Sequence, residues 1–438
     1  MAIVQYDQLI NNKYLGDDIY HLAEELYPLC RSITGNGVRD TLKIIAHHIP
    51  LDIHEVPTGT QAFDWTVPKE WNINDAFIKN DKGERIVDFK ECNLHVLNYS
   101  VPICKKITLM ELKQHLYSLP DRPDWIPYRT TYYKEDWGFC LSHNQLLGLK
   151  DGIYEVCIDS SLKEGHLTYG EFVLKGETEQ EILISAHVCH PSLANDNLSG
   201  ISLAAFLAEN LSKGYHRFTY RFLFVPGTIG SIVWLSRNEN ILGRIRHGLV
   251  LSCVGDGGGP TYKRSRNGDN EIDNVMHYVL DASSKQPVIL DFSPYGYDER
   301  QYCSPAFDLP VGLFERSQYG QFPEYHTSAD NLEFIKPEYL SESYRIIAES
   351  IAILEHNDTF INTNPKCEPQ LGRRGLYDAI GGDNDRALKQ MAILWVLNQS
   401  DGTKSLLDIA KRSKIPFITI KDVADLLNTN GLLQVANR

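Results

Sequence analysis

No run of about 18 apolar residues occurs in the 438-residue chain, so no segment is suited to cross a bilayer as a helix. The opening stretch MAIVQYDQLINNKYLGDD has no basic segment followed by an apolar one, as a secretory leader needs. A cytoplasmic location is expected. Cysteine pairing is missing as well. The nine cysteines (30, 92, 104, 140, 157, 189, 253, 303 and 367) are odd in number and include no C-x-x-C pair. This argues against a disulfide framework and a cysteine-rich zinc module, and fits a reducing compartment. Positive charge is in short supply: 43 Lys and Arg against 57 Asp and Glu give a net charge of −14. The chain therefore lacks the basic footprint of a nucleic-acid-binding protein. Internal repeats, low-complexity tracts and the G-x-S-x-G elbow of serine hydrolases are also missing.

What is present is a 42% hydrophobic composition and a length that implies two or three domains. Residues 17–30 place Ile19, Leu22, Ala23, Leu26 and Leu29 at helical spacing, and residues 36–49 do the same with Val38, Leu42 and Ile45. From about Thr60 to Cys157 the texture becomes short aromatic and β-branched runs broken by turn residues, with NDAFIK, NDKG and ERIVDF reading as a hairpin. EILIS, starting at Glu181, suits a strand buried on both faces and ending at His187. A helix over 198–211 with Asn197 as N-cap follows, then strand-like 218–225, helical 231–238 and strand-like 248–254 and 309–315. This alternation predicts an α/β fold with a doubly wound, largely parallel sheet, which binds ligands beyond the carboxyl ends of its strands.

The expected organisation is an α/β domain from 1–60 plus 158–361, a β-rich insertion at 61–157, a linker at 362–384 and a small domain at 385–438. The last resembles a winged helix-turn-helix: helix 386–398, a DGT turn and two further helices.

Chemistry concentrates in SAHVCHPSLANDNLSG, 185–200. An imidazole at a strand end and a carboxylate in the next loop converge above the sheet, as a zinc ion requires. PEYHTSAD, 323–330, supplies a second imidazole from a later loop. These segments resemble the A-N-D-N-x-S-G and Y-H-T-x-x-D signatures of the zinc-dependent aminopeptidase clan, shared by bacterial leucyl aminopeptidases and transferrin-receptor-like peptidases. RSITGNGVRDTL, PYRTTYYKEDWGFCLSH, HVCHPSLANDNLSG, the TIGSI segment and DGTKSLLDIAKRS are similar to a narrower bacterial family, described as polysaccharide-biosynthesis proteins with an aminopeptidase-like domain. That resemblance spans essentially the whole chain.

Carried over by motif position, the resemblance makes His187 the first histidine ligand, Asp196 the carboxylate that bridges two zincs in other members, and His326 the last histidine ligand. Three ligands leave an open position for water. Other members carry Glu-Glu-x-Gly after the next strand, a general base followed by a zinc ligand, where this chain has Gly227-Thr228-Ile229-Gly230. Their later aspartate ligand falls at Ser252, with Asp256 further on. One zinc per chain is expected rather than two, although His/Asp sites also take cobalt, manganese or iron. Glu324, Asp256 and Glu315 are the candidates for the missing base.

His190 and Asp330 are expected to act as hydrogen-bond partners behind the ligands, and Cys189 as an inert buried residue. Arg129, Tyr132 and Tyr133 either line a substrate cleft or, with Trp137, belong to the insertion's core. Two functions stay open: a single-zinc hydrolase of a peptide, aminoacyl or acyl amide, with a sugar-linked intermediate as one substrate class, or a peptidase-fold module that binds a peptide or glycan without turnover. In the C-terminal helices Asp408, Asp422 and Asp425 interrupt Lys404, Lys411, Arg412, Lys414 and Lys421, a pattern that favours protein contact over DNA binding.

Overall fold

The computed structural model describes residue 9 and residues 14–283, 286–376 and 384–436. Two compact units emerge, Met1–Ala348 and Glu349–Arg438. The larger is built on an eight-stranded sheet. Its strands are β1 (Asp52–Pro57), β2 (His166–Leu174), β3 (Glu181–His187), β4 (Thr219–Val225), β5 (Ile245–Leu251), β6 (Thr261–Lys263), β7 (Val288–Leu290) and β8 (Val311–Glu315). Their spatial order is β1-β2-β4-β3-β5-β8-β6-β7.

The middle four strands, β4-β3-β5-β8, are parallel, while β1 and β2 on one side and β6 on the other join antiparallel. The sheet is thus mixed, with its parallel part at the centre. Every residue of β3 and β4 is buried, which is why EILIS reads as a continuous apolar run rather than an alternating one; in β4 the buried Arg221 is paired with Glu181. Helices α1 (Leu15–Leu26) and α2 (Asn36–Ile45) bury Ile19, Leu22, Ala23 and Leu26, and Val38, Leu42 and Ile45, as their 3.6-residue spacing predicts.

Helix α3 spans Gly200–Leu211 and starts later than expected. Asn197 does not cap it, because its side chain is committed to the sheet: Nδ2 donates to the Leu251 carbonyl at 2.9 Å and lies 3.3 Å from His187 Nδ1. Gly200 is required here, since a Cβ would lie 2.6 Å from the Leu251 oxygen.

The β-rich segment forms a four-stranded antiparallel sheet ordered Arg85–Asp88, Glu70–Lys79, Ile153–Lys163, Ile103–Thr108. The hairpin read from the sequence is its first pair, with Ile78 opposite Val87 and Asn80 Oδ1 accepting from the amides of Lys82 and Glu84 in the turn. Its apolar face is continuous with the main core: Trp71, Phe139, Val156 and Ile158 belong to one cluster with Leu167, Leu183, Leu223 and Val225. Trp137 is part of that cluster and stacks on His115.

The smaller unit contains helices Asn384–Gln399, Leu406–Ser413 and Phe417–Thr429 and a three-stranded sheet. The expected DGT turn is instead strand Asp401–Ser405, and the middle strand of the sheet is Thr359–Asn362, upstream of the expected linker. Four residues whose two faces each mix one polar and one apolar side chain carry too little pattern to reveal a strand whose partners follow about 40 and 70 residues later, beyond any local window. No described helix is long and apolar enough to cross a membrane.

Candidate metal centre

His187 is the last residue of β3, so its imidazole emerges at the carboxyl end of the parallel strands. Asp196 sits in the irregular Ala194–Ser199 turn between β3 and α3 and is fully buried. Its two oxygens face different histidines: His187 Nε2 lies 2.9 Å from Oδ1 and His326 Nε2 lies 3.0 Å from Oδ2. Burial raises the Asp196 pKa, but the neighbouring His190, His187 and His326 outweigh it and hold the carboxyl well below the usual carboxylate range.

The Asp196 turn is fixed from behind by Asp330. Its oxygens accept from the amides of Asn195 at 2.6 Å and Asp196 at 3.0 Å. Asp256 fixes the same turn from another side, accepting from Asn195 Nδ2 at 2.8 Å and Ser317 Oγ at 2.6 Å. With Gly258 N also donating to it at 2.6 Å, Asp256 is a structural acceptor rather than a base facing the histidines.

His326 has the left-handed φ of +53°, an unfavourable geometry for a residue with a Cβ. The insertion holds it there. Tyr128 N donates to the His326 carbonyl at 2.8 Å, Pro127 bridges Thr327, and Ile126 and Ser328 exchange hydrogen bonds of 3.0 and 2.8 Å. Tyr128 also packs edge-on against both His190 and His326, at 5.1 and 5.0 Å between ring centres.

Among the described residues, His187, His190 and Asp196 offer ligand atoms that all lie within 4.8 Å of one another. His190 Nε2 is 3.9 Å from Asp196 Oδ2, nearer the centre than a purely supporting residue would stand. Imidazole nitrogens converging on a buried carboxylate are the donor set that zinc prefers, so the residues present fit that ion.

The other expected bases fall elsewhere. Glu315 ends β8, fully buried, with Oε2 accepting from Tyr319 N at 3.1 Å and Oε1 without a partner among the described residues. Burial pushes its pKa up to about 8. Glu324 is half-buried in the loop before His326, where its backbone carbonyl accepts from Thr327 Oγ1 at 2.7 Å. Ser252 is buried beside Cys253.

The sequence reading missed Asp298. This carboxyl is fully buried; Oδ1 accepts from Ser231 Oγ at 2.8 Å, and Oδ2 has no partner among the described residues. A Cβ placed on Gly227 would lie 3.1 Å from the His187 Cβ and 3.6 Å from Asp298 Oδ2. The carboxylate therefore comes from a different loop to the edge of the space that a side chain at 227 would enter. Burial raises its pKa to about 6 against the lowering influence of His187. Neighbouring Tyr297 stacks on His187 at 4.7 Å. The one local signal was the acidic pair Asp298-Glu299 in an otherwise aromatic stretch.

A cleft of about 490 Å³ opens over His190 and His326, with Arg122, Tyr128, Arg129, Tyr132 and Gly227 in its wall. Tyr132 OH lies 3.0 Å from Tyr128 OH. Tyr133 is half exposed and packs on Trp65 instead.

Comparison with known proteins establishes the family and the fold. A family model described as a domain of unknown function, DUF4910, matches residues 20–357. The chain belongs to the DUF4910 family. A winged helix-turn-helix model matches the remainder, residues 358–435. A Clostridium acetobutylicum protein described as a polysaccharide biosynthesis protein with aminopeptidase-like domain is 55% identical over 97% of this chain and 98% of its own length. A crystal structure described as a peptidase from the same organism superimposes with a TM-score of 0.92 at 53% identity, covering 98% of this chain and 97% of the other. The zinc aminopeptidase BSAP from Bacillus subtilis matches with a TM-score of 0.56 at 14% identity over 77% of this chain and 94% of its own. That last likeness shows that this DUF4910 chain has the aminopeptidase fold.

Proposed function

We propose that this DUF4910 chain is a metal-dependent hydrolase of an amide bond, with one zinc held by His187, Asp196 and His326. The observation that carries the reading is the pair of imidazoles on opposite oxygens of one buried carboxylate, one of which, His326, lines a cleft. Zinc bound there would polarise a scissile carbonyl and lower the pKa of a water. Asn197 and Asp330 orient the ligands. Asp298 accepts the proton at its unpartnered Oδ2, in place of the glutamate absent at Gly227, and returns it to the leaving amine. Tyr128, Tyr132 and Arg129 position the substrate in the cleft.

The substrate class is a peptide-like or acyl amide, and the name of the Clostridium relative supports a sugar-linked one. The winged helix serves protein contact: Lys421 on its last helix is neutralised within that helix by Asp425 at 3.0 Å and Asp422 at 3.5 Å, which leaves it little to offer a phosphate. A second reading, a binding module without turnover, is favoured by Gly227 and Thr228 standing where other members of the aminopeptidase clan carry two glutamates.

Elemental analysis of wild type and His326→Ala, paired with hydrolysis of a panel of aminoacyl and acyl amides, separates the two. About one zinc per chain, lost in the variant together with chelator-sensitive turnover, is the expected result. Zinc without turnover would favour the binding module, and no metal in either protein would remove the site.

A further inference from the structure

Thr228 occupies the position at which other members of the aminopeptidase clan supply a carboxylate ligand, so that anionic ligand is missing from the proposed centre. We propose that His190 supplies a fourth protein ligand, making the metal centre three imidazoles and one carboxylate, so that the water of the proposed hydrolysis would enter as a fifth ligand. This rests on the metal reading above.

Geometry on three sides supports the assignment. His190 Nε2 faces Asp196 Oδ2 at 3.9 Å, the same oxygen that His326 approaches at 3.0 Å. Two ligands of one tetrahedral zinc, each about 2.0–2.1 Å from it, stand roughly 3.4 Å apart. A separation of 3.9 Å is too long for a hydrogen bond, yet only a small adjustment from a shared ion. The rings of His187 and His326 flank His190, with centroids 4.8 and 5.1 Å away.

The segment bearing His190 also runs beside the turn that has lost its carboxylates. Cys189 Sγ lies 3.6 Å from the Gly227 carbonyl, and Gly227 and His190 share the cleft wall. The imidazole therefore comes from the loop after β3 to the wall that Gly227 also lines.

Its backbone is held as a ligand's should be. The His190 carbonyl accepts from Nε of the fully buried Arg31 at 2.7 Å, while Arg31 Nη1 donates to the Leu26 carbonyl at 2.8 Å. This ties the loop to the end of α1. The Tyr128 ring rests against His190 and His326 together and fixes both ring planes. Nδ1 lies 3.7 Å from Cys189 Sγ, so Nε2 is the nitrogen turned toward the carboxylate.

A donor set of three nitrogens and one oxygen has two consequences. It replaces an anionic ligand with a neutral one, leaving zinc with one compensating charge, and it favours zinc over the oxygen-seeking magnesium and manganese.

The test is X-ray absorption spectroscopy of the full chain loaded with one equivalent of zinc, for wild type and His190→Ala. Zinc affinity is measured alongside, by competition with a chromophoric chelator. Three imidazoles at zinc in wild type and two in the variant, with affinity lowered more than about 100-fold, is the expected result. Circular dichroism of both metal-free proteins checks the fold, and the wild-type imidazole count stands even if the variant is misfolded. Two imidazoles in wild type overturn the role of His190 while leaving a metal site of His187, Asp196 and His326. No zinc uptake by wild type overturns the metal reading and this proposal with it.

Discussion

In the proposed hydrolysis a single side chain moves the proton. Asp298 is buried, oriented through one oxygen by Ser231 and unpartnered at the other. Asp298→Asn keeps the shape and removes the base, so kcat on the hydrolysed amide is expected to fall about 10²–10⁴-fold with zinc content unchanged. Comparable loss of zinc would instead make Asp298 a support for His187. At this scale the sequence pointed to the proposed ligands because they lie in compact motifs: His187 and Asp196 share one segment, and His326 lies in another. It was uninformative for Asp298, whose proposed role depends on the small Gly227, on another element, lying beside its carboxylate.

At the scale of elements, the loop that delivers Tyr297 and Asp298 is pinned by a buried ion pair. Lys263 Nζ on β6 reaches Glu299 Oε1 and the Tyr295 carbonyl, both at 2.8 Å, and Glu315 is buried nearby. Lys263→Met strands the Glu299 charge and is expected to destabilise the protein by about 3–5 kcal/mol in urea unfolding. A loss below about 1 kcal/mol would mean that the loop is held by other contacts. A second junction joins α2, β1 and the insertion: Arg39 makes a two-pronged pair with Glu70 at 2.7 and 2.8 Å and bonds Glu55 at 2.8 Å. The Arg39 hydrogen bonds hold the Glu70 pKa down to about 2. A carboxyl depressed in the folded state stabilises fully above its unfolded pKa, near 4.5, and loses that contribution as pH falls toward 2. Arg39→Gln is therefore expected to lower stability by about 1 kcal/mol at pH 7, given partial solvent screening, and by progressively less between pH 4.5 and 2. A difference independent of pH would assign the effect to packing.

At the scale of the whole molecule, every proposed ligand lies in the Met1–Ala348 unit and none in Glu349–Arg438. Zinc at about a thousand times its Kd should stabilise the larger unit by about 4 kcal/mol, raising its melting temperature by roughly 5–10 °C. Calorimetry with and without chelator should show that shift in the larger unit's transition and none in the winged helix's. Equal shifts in both would indicate that the units unfold together.

The sequence by itself determined the elements whose reasons are local: α1 and α2 from their helical spacing, β3 from a continuous apolar run, β4 from its β-branched and aromatic residues and the hairpin from its turn chemistry; the three proposed ligands were read from contiguous motifs. Tertiary structure alone decided what depends on distant pairing. The antiparallel flanks of the sheet, the place of Thr359–Asn362 in the winged helix, the hold of residues 126–128 on His326 and the approach of Asp298 to Gly227 all join segments far apart in the chain. Hydrophobic periodicity records which face of an element is buried, but not which partner buries it. The chemistry of this cleft depends on the partners.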